Sequence, residues 1–202
     1  MLPRLTATQG IDALNSGRLV LFPTETSYGL GCVALNTAAV NALVALKRRP
    51  PGKPLPVLVP SLDYLLGFGL ESPLFCLASA FWPGPLTLVV PAFPGLPAMV
   101  TGETNMVGVR ISAHPVAQAL VSGVGLPVVA TSANRSGEPS CLTAEDCDKA
   151  GLDGVEGVVP GEVVHGVGST VVGLVGGHLH FFREGPLEEA AIRNVWQERR
   201  TF

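Results

Sequence analysis

From residue 72 to residue 102 the chain carries no charged side chain, and this stretch most narrows the folds open to it. An apolar run of that length is long enough to cross a bilayer as one helix. Pro83, Pro85, Pro91, Pro94 and Pro97 forbid that, because each removes a backbone donor and crowds the preceding turn. The run must be buried in short pieces, and residues 87–90 read as a core strand. With only 14% charged and 47% hydrophobic residues, disorder is excluded and a buried sheet is implied. The 202 residues contain no evident linker or repeat, so one domain over 1–202 is expected.

Around that segment the chain alternates strand and helix signals. Residues 11–16 read as a helix end, and Gly17 frees the chain to enter a strand over 18–22. Asn36 is placed to cap a helix whose apolar stripe is Val40, Leu43 and Val44. A short strand over 55–59 follows, then two apolar helices capped by Ser61 and Ser72. Pro115 starts a helix running to about Val121, a strand covers 127–131, and Thr143 with Asp146 forms a capping box. Gly176-Gly177 between two alternating runs, 170–175 and 178–183, predicts a β-hairpin, so part of the sheet is antiparallel. A last helix is expected over 187–199.

Polar residues collect where these strands end. Residues 23–31, Pro-Thr-Glu-Thr-Ser-Tyr-Gly-Leu-Gly, bring hydroxyls, a carboxylate and two glycines directly after a strand, a composition that suits a small polar ligand and close backbone approach. Residues 132–137, Ser-Ala-Asn-Arg-Ser-Gly, repeat the pattern after a later strand. Between Leu19 and Val109 every lysine and arginine lies within residues 47–55, Lys-Arg-Arg-Pro-Pro-Gly-Lys-Pro-Leu. This cluster reads equally as an anion site or as a solvated loop. Lys47 continues the stripe of Val40, Leu43 and Val44, so it either snorkels outward or points into a cleft. Pro50 should end the helix at about Arg49, letting Lys47 and Arg49 converge while Arg48 points elsewhere. Arg110 lies inside an apolar strand and needs a partner, either a carboxylate or a ligand. With Glu103 the closest acid in sequence, the ligand is favoured.

Several classes drop out. Gly52-Lys53 is followed by Pro54, so it is no Walker loop, and residues 166–171 lack the third glycine of a dinucleotide fingerprint. His114, His165, His178 and His180 are scattered without zinc spacing, apart from the alternating His178/His180 pair, which reads as a solvent-facing strand edge. Cys32, Cys76, Cys141 and Cys147 show no CxxC pattern, and the first ten residues lack a secretory signal, so free thiols and a cytoplasmic protein are expected. A net charge of −3 argues against nucleic-acid binding by charge alone and leaves a local basic groove open.

The segments PTETSYGLG (23–31), KRRPPGKPL (47–55), WPGPLT (82–87), VGVR (107–110) and TSANRSG (131–137), with the later GST and REG, together resemble the YrdC-like threonylcarbamoyl-AMP synthases. The resemblance covers roughly residues 17–185 and implies an α/β fold, a twisted, mixed parallel and antiparallel open sheet with flanking helices and a concave active-site face. It implies ligation of L-threonine, bicarbonate and ATP, with Mg²⁺, to threonylcarbamoyl-AMP and pyrophosphate. The product would pass to a tRNA threonylcarbamoyl transferase. By the family's KxR and SxN motifs, Lys47 and Arg49 would be catalytic and would bind ATP together with Lys53, Asn134, Ser140 and Arg183. Thr24, Thr26, Arg110, Ser132 and Ser169 would hold threonine. Two positions depart from the pattern, Cys32-Val33-Ala34 after the GLG block and Gly173 after STVV, where acidic residues are frequent. The chain ends at Phe202, which fits the short, single-domain type. The alternative within the same fold is a non-catalytic module that holds double-stranded RNA or tRNA on the concave face.

Overall fold

A computed structural model describes residues 1–67, 69, 72–102 and 104–198. In chain order the first elements are α1 (Ala7–Asn15), β1 (Val20–Pro23), β2 (Tyr28–Val33), α2 (Thr37–Lys47) and β3 (Val57–Leu58). Then come α3 (Leu62–Leu66), α4 (Phe75–Phe81), β4 (Leu86–Pro91), α5 (Ala98–Thr101) and β5 (Met106–Arg110). The last are α6 (Pro115–Val124), β6 (Val128–Ser132), α7 (Ala144–Lys149), β7 (Gly157–Val158), β8 (Thr170–Val175), β9 (His178–Arg183) and α8 (Glu189–Glu198). The strands form one mixed sheet in the order β7-β1-β2-β6-β3-β5-β4-β8-β9. Pairs β1–β7, β3–β5 and β4–β8 are parallel, and the others antiparallel.

Strand alternation divides the core between the two faces of this sheet. Leu21, Leu30, Val57, Leu88, Val109 and Val129 point to one face, where Val40 and Leu43 of α2, Leu77 of α4 and Ile192 of α8 cover them. Val20, Phe22, Leu58 and Val128 point to the other, under Leu14 of α1 and Leu120 of α6. That second helical cover spans only part of its face. Farther along, Thr87 and Val89 of β4 and Gly108 of β5 line recesses open to solvent. The charge-free run is thus buried as α4, β4 and α5, and among the described residues no helix is long and apolar enough to cross a membrane.

Most local expectations hold. Asn36 Oδ1 accepts from Ala39 N at 3.1 Å, Ser61 Oγ from Tyr64 N at 3.1 Å, and Thr143 with Asp146 makes the capping box. The hairpin falls at 170–175 and 178–183, with a bulge at Val171/Val172. Ser72 differs: its hydroxyl accepts from Leu74 N at 3.3 Å, and the helix begins only at Phe75. The last helix spans Glu189–Glu198, and Arg199 lies outside the described residues.

Two larger corrections concern the polar segments. Helix α2 ends at Lys47, two residues before the expected end, because Arg48 takes a left-handed conformation (φ 50°, ψ 41°) and Arg49 N returns to Val44 O at 3.1 Å. Pro50 therefore follows the stop and does not make it. Gly29 and Gly31 lie inside β2, leaving Thr24 to Ser27 as the β1–β2 turn; Gly29 still borders the polar recess at the end of that strand, whereas Gly31 does not. A Cβ at Gly31 would meet the Phe22 ring at 2.5 Å and Val129 O at 2.6 Å, so that glycine is needed for packing between neighbouring strands.

Candidate active site

The β1–β2 turn, the loop after α2, strand β5, the loop after β6 and the segment before β8 meet over the uncovered face around a cleft of about 280 Å³. Thr24, Thr26, Arg49, Arg110, Ser132, Ser140, Ser169 and Arg183 all line it. An apolar recess of about 420 Å³ adjoins and shares Arg49, Pro56, Thr87 and Arg183 with it, its floor being Val89, Met106, Val171 and Phe182. Gly173 is one of the positions that departs from the family pattern. A Cβ there would meet Phe182 at 2.9 Å and Val89 at 3.0 Å, so its absence lets Phe182 lie where it borders the recess.

Within the turn, Thr24 Oγ1 donates to Ser27 O at 2.7 Å, which uses its only proton. The 2.8 Å contact between the two hydroxyls must then run from Thr26 to Thr24. Thr26 Oγ1 keeps its lone pairs for a donor in the cleft, as an amine would supply. Opposite, Ser169 Oγ accepts from Arg183 Nη2 at 3.0 Å and contacts Thr87 Oγ1 at 2.7 Å. Arg183 Nε also donates to Ser169 O at 2.8 Å.

The basic cluster resolves into residues with separate placements. Arg49 turns back over its loop, donating from Nε to Lys53 O at 3.2 Å and from Nη2 to Pro54 O at 2.7 Å, and reaches the cleft. Arg48 is exposed, and so is Lys53, whose carbonyl rather than its ammonium fixes Arg49. Lys47 is 1% exposed and faces inward. Its ammonium donates to Ser132 O, to Asn134 O at 2.6 Å and to Asn134 Oδ1 at 3.2 Å, so it organises the loop after β6 from behind. Asn134 is buried beside it, taking the Ser132 hydroxyl at 2.5 Å and donating to Glu138 O. Neither Lys47 nor Asn134 borders the cleft.

Arg110 corrects the sequence reading of its partner. Its guanidinium pairs with the buried carboxylate of Glu25 and also lines the cleft, so it has an internal acid and a face toward any ligand. Glu103 lies outside the described residues. The signal for Glu25 was present, an acid between the two threonines of the turn, but nothing local linked it to a strand 85 positions on. Thr87 is a second residue missed, since a threonine in a core strand is ordinarily read as packing.

Positive charge is concentrated here against its own solvation. Burial lowers the pKa of Lys47 to about 8, with Arg49's charge adding to the effect. Burial also pulls Arg49 down, and pulls Arg183 down with help from Arg110. Arg110 too is lowered by burial, which Glu25 partly offsets. Cations held below their ordinary range around a polar cleft mark a place where an anion would be welcome. Among the described residues no group of three or more His, Cys, Asp or Glu forms a metal cage. Both oxygens of Glu25 are already engaged.

Residues 12–185 match the family model for Sua5, YciO and YrdC, described as "Telomere recombination". The threonylcarbamoyl-AMP synthase of Alkalilimnicola ehrlichii is 41% identical over 164 residues, covering 80% of this chain and 86% of that protein. The solved structure of P. abyssi Sua5 complexed with L-threonine superposes with a TM-score of 0.88 at 37% identity, over 96% of this chain and 58% of that longer one. E. coli YciO, at 21% identity and a TM-score of 0.77 over 90% of both chains, shares the fold.

Proposed function

This chain belongs to the Sua5/YciO/YrdC family, and from that premise we propose that it is a threonylcarbamoyl-AMP synthase, joining L-threonine, bicarbonate-derived CO2 and ATP. The observation that carries the reading is the convergence of Arg49, Arg110 and Arg183 with the hydroxyl residues Thr24, Thr26, Thr87, Ser132, Ser140 and Ser169, among others, on one cleft that opens into an apolar recess. That combination suits a small zwitterion beside a triphosphate whose base and sugar need a drier pocket.

In this reading Arg110 holds the threonine carboxylate, and the free lone pairs of Thr26 accept from the amine. The amine nitrogen bonds to CO2 and loses a proton, giving a carbamate. A carbamate oxygen then attacks the α-phosphorus of ATP as the bond to pyrophosphate breaks, with the electron pair leaving on pyrophosphate. Arg49 and Arg183 neutralise the charge that accumulates, which is where fixed cations lower a barrier most. Ser132, Ser140 and Ser169 supply hydrogen bonds around the reacting groups, and Lys47 and Asn134 hold the Ser132 loop in place. Lys53, exposed and outside the lining of the cleft, serves through its carbonyl, which holds Arg49. Mg²⁺ enters with ATP as part of the substrate, held by phosphates and water. One continuous sheet supports reading 1–202 as a single domain, and the product would go to a transferase that modifies tRNA in the cytoplasm.

The test is pyrophosphate release from the purified protein with ATP, Mg²⁺ and bicarbonate, with and without L-threonine. Release that depends on threonine is expected. Release no higher than the threonine-free control would overturn the reading.

A further inference from the structure

Ser112 belongs to no motif and does not line the cleft. It lies just beyond β5, is 3% exposed, and gives its hydroxyl proton to Glu25 Oε2, while Arg110 Nη1 donates to Glu25 Oε1. The carboxylate is thus shared between two donors. Ser112 Oγ is itself fixed by His114 N at 3.2 Å. His114 is held in turn: Nδ1 accepts from Val116 N at 3.1 Å, so Nε2 carries the proton and donates to Glu162 O at 3.0 Å.

An arginine and a carboxylate left to themselves tend to close into a two-bond fork, which would turn two guanidinium donors away from the cleft. With one oxygen taken by Ser112, Glu25 meets Arg110 through the other oxygen. The main-chain oxygen of Glu25 also accepts from His165 N at 2.8 Å and Val164 N at 3.3 Å, in the segment that leads to Ser169. One residue therefore ties Arg110 to the segment that leads to Ser169.

We propose that Ser112 is a positioning residue for amino-acid recognition: by keeping Glu25 on a single-oxygen pairing, it leaves the second edge of the Arg110 guanidinium to the substrate carboxylate. The proposal rests on the reading of Arg110 as the carboxylate-binding group. Loss of the hydroxyl frees Glu25 to rotate into the fork and compete with the substrate for the same donors.

The experiment titrates L-threonine at saturating ATP, Mg²⁺ and bicarbonate, following pyrophosphate. Ser112→Ala should raise KM for threonine about tenfold, the size of one hydrogen bond to a charged group, with kcat and KM for ATP within about twofold. Ser112→Thr restores the hydroxyl and should restore KM. Its extra methyl has room, because Ser112 borders a 320 Å³ cavity beside α6. In an Arg110→Lys background, which has no fork to misplace, Ser112→Ala should raise KM no further. If Ser112→Ala does not fold, Ser112→Cys, with a weaker donor of similar shape, should show a smaller rise of the same kind. An unchanged KM for threonine, no rescue by Ser112→Thr, or an equal added loss in the Arg110→Lys background each overturns the proposal. A wild-type protein without threonine-dependent release removes the parent reading and this inference with it, whereas an active wild type with indifferent variants removes the inference alone.

Discussion

The ammonium of Lys47 lies 2.6 Å from the main-chain oxygen of Asn134 and 3.2 Å from its amide oxygen, 87 positions away in the chain. A buried cation thus closes the loop after β6 onto the end of α2. Lys47→Met would leave buried acceptors at Ser132 and Asn134 without their donor, at a cost of about 1–3 kcal/mol. Urea denaturation should show that loss, and pyrophosphate release should fall at least about a hundredfold as Ser132 loses its place. Lys47→Arg should recover little, because a planar fork cannot reproduce the three directions of an ammonium.

Nucleotide affinity should weaken as pH rises through about 8, where Lys47 loses its proton and the site one positive charge. Calorimetric titration of ATP between about pH 7.5 and 9.5 would follow this, above the range in which the triphosphate itself titrates. The limb should vanish in Lys47→Met. It should survive in Cys141→Ala, a needed control because a hydrogen bond with Cys147 lowers the Cys141 thiol's pKa. Stability moves the other way. A base lowered to about 8 from 10.5 is penalised while charged, fully so below 8, and the penalty fades as pH rises toward 10.5.

Arg49 and Arg48 should separate cleanly. Arg49→Ala removes a cation that lines both recesses and should lower pyrophosphate release about a hundredfold or more. Arg48→Ala should stay within about twofold, since that side chain is exposed beyond the helix end. Arg48→Gly should keep turnover and add about 1 kcal/mol of stability, because φ 50° is a conformation in which only glycine avoids crowding. Equal losses from Arg49→Ala and Arg48→Ala would contradict the geometry.

Gly31→Ala should destabilise the fold by about 1–3 kcal/mol, since the added carbon would press on the Phe22 ring and Val129 O with no free volume to take it. Thermal unfolding with and without ATP distinguishes this from a ligand role. The expected loss is the same in both conditions, whereas a glycine needed for ligand approach would cost only the ATP-dependent part.

The local grammar of the chain was readable in one dimension. Caps at Asn36, Ser61 and Thr143, the Gly176-Gly177 turn, the apolar stripe leading to Lys47 and the arginine in β5 follow from residue spacing, because each depends on neighbours within a few positions. Most residues expected at the site, from Thr24 to Arg183, do line one cleft, since they follow strand ends that the sheet brings to one face. The family motifs added the chemistry, which spacing alone left at a small anionic ligand.

Only the tertiary structure decided how those residues divide the work. That Lys47 points inward to main-chain oxygens, that Gly31 serves a phenylalanine, and that Arg110 pairs with Glu25, which also takes the Ser112 hydroxyl, are outcomes of strand order. Strands β2, β6, β3 and β5 lie side by side although far apart in sequence. Their partners are chosen by burial and hydrogen bonding across that sheet, where an unpaired charge or an extra carbon is costly, and no local pattern records which distant group will satisfy it.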